Sequence, residues 1–219
     1  MQVSFGAMLL VLRIAVQPSP DLTVELVGNA GVLLTDGATS LLIDLPYEPG
    51  AFGYMVYDPG ELRPAGDVVS VITHHHRDHF DRDLFLQRPG WRLIGPPGVT
   101  DHLPAERVLA GDSLSIGAFA VVPLPTPHTD DHRSYRVRWR GLVLVFTGDT
   151  EDPAAIAAEP HIDVLFVTPW LDCTLATVAR SASWDRSILY HRGPNEAVAT
   201  CVSAEVLAQG TRFVIAAPR

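Results

Sequence analysis

Residues 73–80 read Thr73-His74-His75-His76-Arg77-Asp78-His79-Phe80, and within them His74, His76, Asp78 and His79 form a His-x-His-x-Asp-His pattern. Three imidazoles and a carboxylate in six residues are costly to crowd together unless something ligates them. Neutral imidazole and carboxylate are ligands that Zn²⁺ takes at about 2.0–2.2 Å. The run follows Asp67-Val68-Val69-Ser70-Val71-Ile72, a β-branched stretch that reads as a buried strand. Phe80 to Leu86 then has the apolar spacing of a short helix. The four groups therefore lie on a loop at a strand's end, where a rigid scaffold can hold a site. His74 with His76 projects as one pair and Asp78 with His79 as another, so two metals can share the loop. A His-rich run can also be a surface tract. The fixed offsets of Asp78 and His79, directly after a strand, favour the built site.

A two-metal site needs more than four ligands, and candidates follow downstream. Pro125-Thr126-Pro127-His128 comes after the strand-like Phe119–Val122, and Leu142–Phe146 runs into Thr147-Gly148-Asp149-Thr150. Ser187-Ile188-Leu189-Tyr190 ends in His191. Each candidate stands just past the C-terminal end of an apolar run, where separate strands can deliver side chains to one sheet edge.

With these motifs in this order the chain resembles the metallo-β-lactamase superfamily, over roughly residues 22–217. Val24–Leu34 and Leu41-Leu42-Ile43-Asp44 look like that family's first hairpin. The resemblance is closest to the ascorbate-6-phosphate lactonase-like and phosphodiesterase-like branches. It implies an α/β fold, a four-layer αββα sandwich of two mixed β-sheets with helices on the outer faces. It also implies a ligand set: His74, His76 and His128 for one metal, Asp78, His79 and His191 for the other, and Asp149 between them. A bridging carboxylate keeps two cations about 3.5–4 Å apart, and a water between them ionises near neutral pH. Asp78 and Asp149 are the expected catalytic carboxylates.

Two ligands have rivals. His132 competes with His128, which lies nearer the strand end and follows the rigid Pro-Thr-Pro; His132 then contacts a ligand or substrate, or is a solvated loop residue. Some relatives place the last ligand after the final strand, but Arg212–Ala217 ends at Pro218-Arg219 without a His, so His191 fits better. His75 alternates with the ligands and should point away. His102 and His161 read as surface residues. Residues 46–66, rich in Pro and Gly, form a long loop, and such loops are often functional. On it Phe52, Tyr54, Met55 and Tyr57 either wall a substrate pocket or clamp the loop down. Tyr54 and Tyr57 are the candidates for substrate contact.

Composition bounds the rest. A chain of 219 residues with 47% hydrophobic residues can bury a substantial core. Residues 1–20 read as a lead-in segment and 21–219 as a single domain. With 16 basic against 25 acidic residues, net −9, nucleic acid is a poor partner. The apolar stretch 5–16 is too short for a membrane span and lacks the basic start of a secretory signal. A cytoplasmic location follows, and Cys173 and Cys201 read as two free buried thiols. The sequence is silent on oligomeric state.

Strands are expected near 9–16, 22–27, 31–35, 40–44, 67–72, 91–94, 118–122, 134–139, 142–147, 162–167, 187–190 and 211–216. Helices are expected near 80–87, 153–158, 174–183 and 195–208, the last capped by Asn195. The expected function is a dinuclear metal-dependent hydrolase. A metal-bridging hydroxide would cleave an ester-like bond of a small molecule: a lactone, a phosphodiester or a similar ester, with thioesters and β-lactams also compatible with the chemistry. A true β-lactamase is disfavoured because those relatives generally lack the bridging Asp. Zinc is the expected metal, with Mn and Fe open. The alternatives are a di-iron redox protein, whose relatives usually carry Glu in place of His76 and a flavin module, and a non-catalytic metal-binding protein.

Overall fold

Apolar residues alternate along the strands, and the alternation sorts them onto the two faces of each sheet. The computed structural model describes residues 20–218 except 112, 179–182, 199, 202 and 203. In chain order, β1 (Leu22–Gly28), β2 (Gly31–Thr35), β3 (Thr39–Ile43) and β4 (Asp67–Val71) lead to α1 (Arg82–Leu86), β5 (Arg92–Ile94) and α2 (Pro97–Thr100). Then come β6 (Leu114–Ile116), β7 (Phe119–Pro125), β8 (Arg133–Trp139), β9 (Leu142–Phe146), α3 (Ala154–Ala157) and β10 (Ile162–Val167). The described elements end with α4 (Pro169–Val178), β11 (Trp184–Leu189), β12 (Glu205–Val206) and β13 (Arg212–Ile215).

The strands form two mixed sheets, ordered β13-β1-β2-β3-β4-β5 and β12-β11-β10-β9-β8-β7-β6. Val32, Leu34, Leu41, Ile43, Val69 and Val71 meet Val137, Leu144, Phe146, Val164 and Phe166 in one core between them. The intervening residues face outward. Val145, Leu165, Val167 and Leu189 receive Ile156 of α3 and Leu171 and Leu175 of α4. On the other side Ile72 and Leu93 receive Phe85 of α1 and Val99 of α2. The result is the expected four-layer αββα sandwich.

The topology also positions the site. β3 and β4 run parallel, as do β9, β10 and β11. Parallel strands bring their C-terminal ends to one edge, the usual place for a binding site in such sheets. The two sheets are tied together there. Tyr135 donates its hydroxyl to Ile72 O at 3.1 Å, and the Arg133 and His191 amides donate to Thr73 O and Asn29 O at 3.0 and 2.9 Å.

Several expectations need correction. No helix runs over the described residues of 195–208, so Asn195 caps none. The Ala- and Glu-rich composition suits a helix, but tertiary pairing overrides propensity: Glu205 and Val206 pair in parallel with Ile188 and Leu189, and Arg186 holds the Glu205 carboxylate at 2.7 Å. The expected helix at 174–183 begins earlier, at Pro169. The short strands β6 and β12 were not expected. The strand expected near 9–16 lies outside the described residues.

Cys173 and Cys201 are not free thiols; they form a disulfide. Free thiols therefore no longer support a cytoplasmic location, since disulfides persist mainly in oxidising compartments. The bridge joins α4 to the segment after His191, and the Cys201 amide donates to Asp172 Oδ2 at 2.6 Å beside it. The two cysteines stand 28 positions apart, and closing a loop of that size stabilises by about 3.5 kcal/mol in the chain-entropy picture. Cys173→Ser with Cys201→Ser is expected to lower the denaturant midpoint accordingly; an unchanged midpoint would contradict this. Among the described residues no helix is long and apolar enough to cross a membrane.

Candidate metal centre

The segment 72–80 leaves β4 and is fixed by its own backbone. The His79 and Phe80 amides donate to His76 O at 2.9 Å. Asp81 then caps α1, accepting from the Asp83 and Leu84 amides at 2.9 Å. This turn delivers His74, His76, Asp78 and His79 to the shared sheet edge. His128 arrives on the loop between β7 and β8, Asp149 just past β9, and His191 just past β11.

These seven side chains form two adjoining groups. His74, His76, His128 and Asp149 each offer a ligand atom, all within 4.8 Å of one another, and so do Asp78, His79 and His191. In the second group His191 Nε2 lies 3.0 Å from His79 Nε2, 3.3 Å from Asp78 Oδ2 and 3.2 Å from Asp149 Oδ1. His79 Nε2 is 3.1 Å from Asp149 Oδ1. Ligands about 2.1 Å from a tetrahedral cation stand about 3.4 Å apart, so these four atoms suit one cation. In the first group His74 Nε2 lies 2.9 Å from His76 Nδ1. Asp149 Oδ2 is 3.8 Å from His74 Nε2 and 3.6 Å from His128 Nε2. Asp149 thus turns one oxygen to each group. Its Oδ1 is buried without a hydrogen-bond partner, which costs free energy unless a cation sits against it.

A layer of hydrogen bonds beneath the cluster selects which ring nitrogen faces inward. Asp44, fully buried at the end of β3, accepts from His79 Nδ1 at 3.0 Å, from the Thr73 amide at 2.7 Å and from the Thr73 hydroxyl at 3.0 Å. A carboxylate only accepts, so His79 carries its proton on Nδ1 and leaves Nε2 free. The Thr73 hydroxyl, donating to Asp44, accepts from His74 Nδ1 at 3.0 Å, which frees His74 Nε2 in turn. This is the carboxylate–histidine arrangement that orients metal ligands. Asn29 holds Asp78, donating to its carbonyl at 2.7 Å and its Oδ2 at 3.4 Å.

His132 stands under Asp149, with its ring 5.5 Å from that of His128. Its Nε2 accepts from the Asp149 amide at 3.0 Å, while Nδ1 bonds the Thr126 hydroxyl at 2.9 Å. Burial lowers its pKa to about 4, so it stays neutral and able to accept. Gly148, at φ 58°, makes this contact possible: a Cβ there would lie 2.4 Å from His132 Nε2.

Electrostatics fit a cation site. Burial drives His74 far below the usual imidazole range, leaving it neutral, as a ligand must be. Burial pushes Asp149 upward, but His79 and His191 outweigh it and hold the carboxyl well below its ordinary value. Burial likewise opposes charge on His79, yet Asp149 and Asp44 raise it well above the imidazole range. A cation between these groups would take the place of the protons they share.

The remaining candidates divide. Tyr54 packs edge-on against the His191 ring at 4.5 Å; burial, then Asp78 and Asp149, raise its hydroxyl to about 12, so it is protonated. Tyr57 is not brought to the cluster. Its hydroxyl accepts from the Tyr47 amide at 2.9 Å and donates to Tyr47 O at 3.0 Å, clamping the loop. His75, His102 and His161 are exposed. Sequence reasoning missed Asp44, Asn29 and Trp170, whose ring lies 5.1 Å from that of His191. Asp44 had a signal, since it ends an apolar run as the other acids do. The cluster opens where His76 is half-buried and His128 exposed, beside a cleft lined by Pro127, His128, Glu151 and Asp152.

Comparison with known proteins places this geometry among relatives. No family model matches the chain. A hydroxyacylglutathione hydrolase of Chelativorans sp. is 31% identical over 130 residues, 56% of this chain and 48% of the relative. The chain thus spans about half the length of the curated relatives it matches. Among solved structures, a metallo hydrolase of Ignicoccus hospitalis superposes with a TM-score of 0.69 at 14% identity, over 89% of this chain and 98% of the other. A metallo-beta-lactamase fold protein of Bacillus subtilis gives 0.64 at 17% identity, over 89% and 99%. A diiron beta-hydroxylase of Streptomyces venezuelae gives 0.57 at 16% identity, over 91% and 55%.

Proposed function

From the premise that this chain has the metallo-β-lactamase fold, we propose that it is a dinuclear metal-dependent hydrolase of a small ester-like substrate. The observation that carries the reading is Asp149, whose two oxygens face two separate groups of histidine and carboxylate ligands. His74, His76 and His128 would hold one divalent cation and Asp78, His79 and His191 the other, with Asp149 between them. Divalent cations held there would lower the pKa of a bound water toward neutrality and polarise a substrate oxygen. The donor set of imidazole and carboxylate suits zinc, and serves Mn and Fe as well.

The chain's own groups do the rest. Asp149 fixes the spacing of the two ligand groups, and His132 fixes Asp149 by accepting its amide. Asp44 and Thr73 keep His79 and His74 in the tautomers whose Nε2 faces inward. Asp78, steadied by Asn29, borders the cluster with one oxygen and, being ionised, can take a proton from the attacking water and pass it to the leaving group. The substrate enters past His76 and His128.

The relatives' name favours a thioester of a hydroxy acid over the lactones and phosphodiesters that the same chemistry would serve. Metal-replete protein offered a panel of thioesters, lactones, phosphodiesters and β-lactams is expected to hydrolyse thioesters fastest and β-lactams least. Absence of turnover across the whole panel would overturn the reading. The fold is shared with a diiron hydroxylase, and that observation supports a second reading as an iron redox protein. Iron bound as purified, with a reducible absorbance, would favour it.

A further inference from the structure

Resting on the hydrolase reading, we infer that Tyr54 and Trp170 form the specificity wall for the acyl part of the substrate. In this arrangement Tyr54 donates a hydrogen bond to an oxygen substituent next to the scissile carbonyl, and Trp170 packs on the apolar remainder. Both rings stand edge-on to His191, Tyr54 at 4.5 Å and 76°, Trp170 at 5.1 Å and 75°. They come from different elements, the loop after β3 and the first turn of α4, and converge on one side of the cluster.

Two features set them apart from structural aromatics. The chain has five tyrosines. Tyr47 and Tyr57 donate to Met55 O and Tyr47 O, Tyr135 donates to Ile72 O, and Tyr190 accepts from the Gly148 amide. Tyr54 alone, among the described residues, has a hydroxyl with no protein partner, although the residue is half-buried. Trp170 is 37% exposed, and because its ring lies against His191 its free apolar face borders the cluster, where a ligand would cover it.

Both rings are also held in place. Around Tyr54 the loop is pinned at Met55 O by Tyr47, at 2.8 Å, and at Val56 O by Gln209, at 2.6 Å. Three residues beyond Trp170, Cys173 is bridged to Cys201. A wall fixed on both sides can discriminate, because a site built to bond a polar group rejects the analogue that lacks it.

The test uses metal-replete protein and a matched pair, a 2-hydroxyacyl thioester and its counterpart without the hydroxyl, with kcat and KM measured separately. Wild type should prefer the hydroxylated member. Tyr54→Phe should raise KM for that member roughly tenfold, about one net hydrogen bond, and leave its counterpart unchanged. Trp170→Ala should raise KM roughly tenfold for bulky apolar acyl groups and little for small ones. Metal content should not change in either variant. Equal losses on both members of the pair, or lost metal, would mean that the rings only support His191 and would overturn the inference. If wild type turns over no substrate, the hydrolase reading fails separately. Calorimetric titration with the free 2-hydroxy acid and its deoxy analogue then decides the wall, and equal affinity for the two would refute it.

Discussion

Asp149→Ala is expected to abolish binding of both cations and to cut turnover by roughly a thousandfold or more, the scale of losing a preorganised electrostatic element. The reason is geometric. Its two oxygens are 3.1–3.8 Å from ring nitrogens of His74, His79, His128 and His191. An alanine leaves the two ligand groups without a shared anion. Their imidazoles would then surround two positive charges with only Asp78 to balance them. Elemental analysis of the purified variant, alongside steady-state rates, checks the prediction. Two equivalents of tightly held metal in Asp149→Ala would refute the bridging role.

Asp44→Asn is the second large effect. Asp44 touches no proposed cation, yet one carboxylate fixes His79 directly and His74 through Thr73. Asparagine presents an NH₂ where one of these oxygens accepts, and two donors would then face each other. Loss of such an orienting partner typically weakens metal affinity 10- to 100-fold. Competition against a chromophoric chelator should show a drop of that size, with the variant still unfolding cooperatively. Wild-type affinity would mean that the histidines are oriented by something else.

The residues of the candidate cluster were legible because a motif resemblance named them and because they stand on segments that follow apolar runs. β4, β9 and β11 are buried on both faces toward their C-terminal ends, and His74, Asp149 and His191 stand three, three and two residues past them. The layer beneath was harder to read. Asp44 also ends an apolar run but lies in the stretch that resembles the family's first hairpin, away from the His-rich motif. Asn29 sits at φ 50° between β1 and β2, and Asn is an ordinary turn residue there. Its bond to Asp78 spans 49 positions, which no local pattern encodes. The same limit explains 195–208, where local propensity favours a helix and the distant partners Cys173 and Arg186 impose a tethered strand. β6 and β12, of three and two residues, are too short to carry a period. Trp170 lies ahead of the helix expected at 174–183, and only the earlier start of α4 at Pro169 sets its ring against His191.

The central claim is that two cations share Asp149. Anomalous diffraction at the zinc edge, from crystals of the metal-loaded protein, tests it most directly. Two peaks are expected, one beside His74, His76 and His128 and the other beside Asp78, His79 and His191, with the Asp149 carboxylate between them. A single peak, or zinc bound only at other surface groups, would contradict it.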